Sequence, residues 1–135
     1  MIYIGESGKP ANEIWIDDDG ILYLKIRGVL DPTEDAKVHE ILPKAAKIIR
    51  HEGKTIRLLI DMTEAKKITV ACRRSSYANL TRFGAEYVAF AGSDRTTKIL
   101  IDMTGRTMNG VYRTFDTVDQ ARAWLNDCQK DIRNQ

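Results

Sequence analysis

Thr55-Ile56-Arg57-Leu58-Leu59-Ile60-Asp61 is a nearly continuous apolar run. Its length suits a strand, and its lack of alternation suits one buried on both faces of a sheet. Tyr87-Val88-Ala89-Phe90-Ala91 has the same character. Between them, Thr69 to Phe83 places Leu80 and Phe83 three apart with Gly84 just beyond, which predicts the crossover helix of a β-α-β unit. The two runs are therefore expected to be central and parallel.

Toward the N-terminus, Ile14-Trp15-Ile16 and Ile21-Leu22-Tyr23-Leu24-Lys25-Ile26 flank Asp17-Asp18-Asp19-Gly20. The Asp-Gly pair supplies the positive φ angles of a hairpin turn, and the three aspartates read as a solvated turn because a calcium loop alternates its ligands and ends on a distant glutamate. Asp31-Pro32-Thr33-Glu34 then offers a capping side chain, a proline suited to the first helical position and a glutamate able to reach back. Val38, Ile41, Leu42, Ala45, Ile48 and Ile49 repeat at helical spacing through Pro43, so one helix, kinked at the proline, is expected to end near Gly53. A break into two short helices is the alternative.

Toward the C-terminus, Ile99-Leu100-Ile101-Asp102-Met103-Thr104 looks like a repeat of Leu58-Leu59-Ile60-Asp61-Met62-Thr63. The likeness stops at the flanks, and the second copy follows Gly92-Ser93-Asp94, a helix-start signal, so a helix is predicted there. Val111-Tyr112-Arg113-Thr114-Phe115 alternates as a strand does. Thr117-Val118-Asp119-Gln120 is a capping box that opens a helix carrying Ala121, Trp124, Leu125 and Cys128 inward. The expected fold is α/β: an N-terminal β-hairpin followed by alternating helices and strands, forming a mixed, largely parallel sheet of about five strands with four helices. A loosely ordered start over 1–11 and a polar tail over 130–135 flank this single domain.

Length and composition agree. The chain has 135 residues, 43% of them hydrophobic, which suffices for one core without metals or disulfides. Neither an export signal nor a membrane span is expected, and two distant cysteines, Cys72 and Cys128, suit a reducing compartment, with the cytoplasm as the default. Lysine plus arginine number 21 against 19 acidic residues, interspersed, so no broad basic field invites nucleic acid.

The motifs that could carry chemistry are incomplete. Gly5-Glu6-Ser7-Gly8-Lys9-Pro10 lacks the spacing and the hydroxyl of a phosphate loop. His39 and His51 are twelve positions apart, without the i, i+4 spacing of a metal pair. Cys72 sits early in a predicted helix beside Arg73 and Arg74 but has no base near it in sequence, so it reads as an apolar filler. No catalytic, metal-binding or cofactor-binding set emerges. Position is more informative: loops after parallel strands gather at the carboxyl edge of a sheet. Those loops are expected over Met62 to Ile68 and Gly92 to Asp94, each feeding a helix N-terminus, and they would cluster Lys66, Lys67, Thr69, Ser93 and Arg95 where an anion or acidic partner is favoured. Thr69 and Ser93 also serve as plain helix caps.

The segment from Leu58 to Ala71 resembles the central strand, loop and helix start of STAS domains, which read strand, Asp-Leu-Ser, a short loop, then Asp-Ser-Ser-Gly. The ending Val111 to Leu125, with its strand closing in Phe115, acidic turn, alanines and Trp124-Leu125, resembles the SpoIIAA-like (STAS/SEC14-like) branch. The resemblance implies a non-enzymatic regulatory or protein-interaction module. Laid on the Asp-Ser-Ser-Gly motif, Thr69, Val70, Ala71 and Cys72 take its four positions, so the family's phosphorylated serine falls on Ala71. Thr69 is the remaining candidate phosphoacceptor. The expected docking residues are Lys66, Lys67, Thr69, Arg73, Ser93 and Arg95, and the partner is another protein or a second copy of the chain. The SEC14-like kinship implies an alternative, a carrier of a small apolar ligand or lipid lined by Leu80, Phe83, Ile99, Met103 and Met108.

Overall fold

The computed structural model describes residues 3–4, 12–30, 32–68, 83–105 and 111–133. Among these residues six strands form one sheet in sequential order: β1 Tyr3–Ile4, β2 Glu13–Ile16, β3 Leu22–Leu30, β4 Arg57–Ile68, β5 Tyr87–Ala91 and β6 Val111–Phe115. β1, β2 and β3 are antiparallel neighbours, whereas β3, β4, β5 and β6 run parallel. The five expected strands are all present, and β1 adds a two-residue edge strand.

Three helices are described: α1 Pro32–His51, α2 Arg95–Gly105 and α3 Val118–Arg133. α1 runs unbroken through Pro43. The second apolar hexapeptide lies in α2, as its helix-start signal predicts. The crossover helix expected over Thr69 to Phe83 falls outside the described residues apart from Phe83, which is helical and followed by Gly84 at φ 74°. α3 continues to Arg133, into the polar tail.

Strand order dictates the layers. Parallel strands laid down in one direction by right-handed crossovers place their helices on one face. On that face, Val38, Leu42, Ala45 and Ile49 of α1 and Ile101 of α2 share a buried cluster with Leu24, Leu58, Ile60, Val88 and Phe90. The opposite face is left for α3, whose Ala121 and Leu125 pack with Ile21, Tyr23, Leu59, Ala89 and Ala91. Leu58, Leu59 and Ile60 are thus buried alternately against both layers, and the double burial read from their unbroken apolar run is what the fold delivers.

The hairpin departs from expectation in one respect. Only Gly20 takes a positive φ, 79°, and the turn is organised by Asp17, whose Oδ1 accepts the amides of Asp19 (2.9 Å) and Ile21 (3.0 Å). Asp17 is not a solvated turn residue. Its side chain is 9% exposed, with Oδ2 3.1 Å from the Arg122 guanidinium of α3. Beside it, buried Arg57 donates to the carbonyls of Leu125 (3.1 Å) and Asp19, bolting the hairpin tip to α3.

Candidate functional site at the carboxyl edge of β4

β5 pairs with β4 only as far as Asp61, and β2 pairs with β3 only as far as Lys25. Beyond those points β3 and β4 continue together, with Arg27 opposite Glu64 and Leu30 opposite Ile68. The segment Met62 to Ile68, expected as a loop, is therefore strand. Local propensity does not explain this; pairing with β3 supplies the backbone partners that a loop would have sought in water.

The continuation is irregular. Asp61 to Glu64 spans three steps on β4 while Lys25 to Arg27 spans two on β3, and Ala65 to Lys67 spans two while Gly28 to Val29 spans one. Each mismatch is one extra residue on β4, a β-bulge, a device that bends a strand and re-aims its side chains.

The first bulge is held by Asp61, which is 2% exposed. Its Oδ1 accepts the Thr63 amide at 3.0 Å and the Thr63 hydroxyl at 2.6 Å, and its Oδ2 accepts the Tyr23 hydroxyl at 3.0 Å. A buried carboxylate is tolerated where donors surround it, and three do so here. Burial, then the hydrogen bond and charge of Asp61, push the Tyr23 phenol far above its ordinary range. Tyr23 in turn stacks on Trp15 with ring centroids 4.1 Å apart. Gly92 closes the node from β5: its φ is 76°, and a Cβ there would lie 2.6 Å from the Thr63 methyl and 3.0 Å from the Thr63 backbone.

Past the node, the sheet face on the α3 side carries a ladder of ions. Glu64 meets Lys25 at 2.9 Å and Arg27 at 3.2 Å, and Arg27 meets Glu13 at 3.2 Å. The Lys25 hydrogen bond is the main cause holding the Glu64 carboxyl below its usual value.

Of the residues singled out in sequence, the described ones lie on three separate stretches: Lys66 and Lys67 on β4, Ser93 after β5 and Arg95 on α2. Ser93 is half-buried, its hydroxyl 3.4 Å from the Met62 sulfur. It is not the helix cap. Asp94 is, accepting the Thr97 amide at 2.7 Å. Arg95 is exposed at the start of α2. Lys66 and Lys67 lie on the β4 extension, four and five residues past Met62, about 13 and 17 Å of strand away at the usual rise. Thr69, Val70, Ala71, Cys72 and Arg73 lie outside the described residues, as do residues 5–11 with their glycine-rich stretch.

Sequence reading missed the Tyr23–Asp61–Thr63 node, although Asp-x-Thr is a turn-forming pattern in which the side chain caps an amide two residues on. It also missed an acid one turn from His39: Asp35 Oδ1 lies 3.2 Å from His39 Nε2, and both side chains are largely buried. Among the described residues no three histidine, cysteine or acidic side chains gather to hold a metal, and no helix is long and apolar enough to cross a membrane. Of the residues proposed to line an apolar cavity, Phe83 packs against the core and Ile99 is exposed, while Leu80 and Met108 are outside the described set.

From β3 to β6 the sheet is parallel and in sequential order, with α1 and α2 on one face and α3 on the other. The chain belongs to the SpoIIAA-like family, whose model matches residues 21–126. Two solved structures share its fold. One is an uncharacterised protein of the DUF3478 family with a SpoIIAA-like fold from Shewanella loihica PV-4, 21% identical, covering 93% of this chain and 92% of that one at a TM-score of 0.61. The other is the anti-sigma factor antagonist SpoIIAA in its unphosphorylated form, 9% identical, covering 93% of this chain and all of that one at a TM-score of 0.57. No curated protein matches the chain.

Proposed function

We propose that this chain is a non-enzymatic regulatory module that docks a protein partner at the carboxyl edge of its sheet. The observation that carries the reading is the bulged β4 extension, which presents its residues beyond the rest of the sheet on a buried, fully hydrogen-bonded footing. Bulges of this kind commonly sit at functional edges, and a rigid base lowers the entropy lost on docking. The sequential order from β3 to β6 supports an edge site as well, since it has no strand-order reversal of the kind that makes a ligand crevice in doubly wound sheets.

Lys66, Lys67 and Arg73, with Ser93 and Arg95, supply the charge and hydrogen bonds for an acidic partner. Phosphate at the family's usual serine has no acceptor at Ala71, so regulation by charge at that point falls to Thr69 or is absent. The test is a binding titration of a partner isolated with the intact chain. Reversing Lys66, Lys67 and Arg73 to glutamate abolishes binding while leaving the melting temperature unchanged; unchanged binding overturns the reading. Thr69→Glu reports on phosphorylation: it alters partner affinity if Thr69 is the switch, and leaves it unaltered if Thr69 only caps its helix.

A further inference from the structure

Among the described residues β6 is the outermost strand of the sheet, bonded to β5 on one side only. Which of its peptide groups face outward follows from two bonds. The Val111 amide donates to the Glu86 carbonyl at 2.9 Å, and the Phe115 carbonyl accepts from Gly92 at 3.0 Å. In a parallel ladder such residues alternate with residues whose amide and carbonyl point away. Val111, Arg113 and Phe115 therefore bond inward, and the amide and carbonyl of Thr114 point out of the sheet.

Edge strands are ordinarily protected by brevity, proline, charge or a covering element. β6 has no proline, and its one charge, Arg113, sits with its guanidinium 5.6 Å from the centre of its own Phe115 ring. Val111 is 55% exposed on the α3 face, and on the opposite face α2, which packs beside β6, leaves Ile99 53% exposed. Val111 is thus an exposed large hydrophobic residue on the edge strand itself.

We propose that β6 is the interface through which two copies of the chain form a homodimer, pairing antiparallel about a twofold axis at Thr114. This rests on the reading of the chain as an interaction module and names one of its partners as itself. A twofold normal to the sheet sets the residue on the axis against its own copy. An axis at Arg113 would oppose two guanidinium groups, which is unfavourable across a strand pair. An axis at Thr114 exchanges two backbone hydrogen bonds between the threonines and sets Arg113 opposite Phe115 of the second copy, a cation against an aromatic ring, twice by symmetry. Self-complementary placement of a cation and a ring on one short strand is what selects a second copy over an unrelated strand.

Sedimentation of the full chain over a micromolar to submillimolar series tests this. The expected result is a reversible dimer. Thr114→Pro removes an amide that no neighbour within the sheet uses, so it leaves the fold intact and yields a monomer. Arg113→Glu, on an exposed side chain, weakens dimerisation by about tenfold, the loss of two cation-aromatic contacts. A wild-type monomer throughout the series overturns the proposal, including the case in which the edge serves another protein's strand. So does a folded Thr114→Pro variant that still dimerises, or, should that variant fail to fold, an Arg113→Glu dimer of unchanged affinity. Reversal of Lys66, Lys67 and Arg73 leaves the dimer unaltered, so failure at β6 and failure at the β4 extension are read separately.

Discussion

The hydroxyl of Tyr23 on β3 donates to Oδ2 of Asp61 on β4 at 3.0 Å, inside the sheet and on the face that α3 covers. That bond joins two parallel strands at the level where the sheet narrows to the β3–β4 extension. The carboxylate it satisfies is the one that shapes the first bulge.

Tyr23→Phe removes the donor and leaves a buried carboxylate oxygen unpartnered, which costs about 1–3 kcal/mol at neutral pH. Urea titration measures the loss. The wild-type phenol has a raised folded-state pKa, so its contribution is complete below the unfolded value of about 10 and declines as pH rises above it. Wild-type stability therefore falls above that pH, and the phenylalanine variant lacks this component of the decline.

Gly92→Ala and Gly53→Ala separate two costs of a side chain at positive φ. Both glycines lie near φ 75°, but a Cβ at Gly53 meets nothing within 4 Å whereas one at Gly92 collides with Thr63. Gly53→Ala costs about 1–2 kcal/mol from backbone conformation alone. Gly92→Ala costs more by at least about 1 kcal/mol, because backbone as well as a methyl must yield. Thermal melts of the two variants give the comparison, and equal losses would contradict the close packing of Gly92 on Thr63.

Arg57→Met keeps much of the buried stem and deletes the guanidinium that binds the Leu125 and Asp19 carbonyls. Stability falls by about 3 kcal/mol, as expected for charged hydrogen bonds lost from a buried site. Hydrogen exchange should quicken first in α3 and at the hairpin tip, the two elements that Arg57 joins.

Thr117→Ala breaks the capping box that was legible in sequence: the Gln120 amide donates to Thr117 Oγ1 at 3.2 Å and the Gln120 side chain accepts from the Thr117 amide at 3.4 Å. The cost is about 1 kcal/mol. Thr117→Ser retains the acceptor and restores most of it.

Lys25→Met leaves the Glu64 carboxyl without its strongest hydrogen bond, and its titration midpoint rises toward the ordinary glutamate value. Folded-state depression stabilises above the unfolded pKa and is lost as pH falls through the lower folded one. Nuclear magnetic resonance titration of Glu64 follows the shift directly.

Elements with strong local signals were legible from sequence. α1 announced itself through Pro32 and the 3.6-residue period from Val38 to Ile49, α3 through its capping box, β5 and the first half of β4 through unbroken apolar runs. Asp94, by contrast, caps α2 where Ser93 was expected to, because both can offer an oxygen and only the backbone path decides which one reaches the Thr97 amide. Asp17 looked like its two solvated neighbours because nothing local tells that Arg122, 105 residues on, will come to lie 3.1 Å away.

The sequence by itself determined the α/β class, the order of the described elements apart from β1, and the identity of the core, because periodicity, caps and turns act over a few residues. The tertiary structure alone decided that Met62 to Ile68 is strand, that Asp61 is buried among three donors, and that β6 is the last strand among the described residues, with the Thr114 amide and carbonyl facing outward. Those outcomes depend on which strand lies alongside which. Backbone groups and buried charges are satisfied by whatever neighbour the fold supplies, and that neighbour lies tens of residues away in the chain.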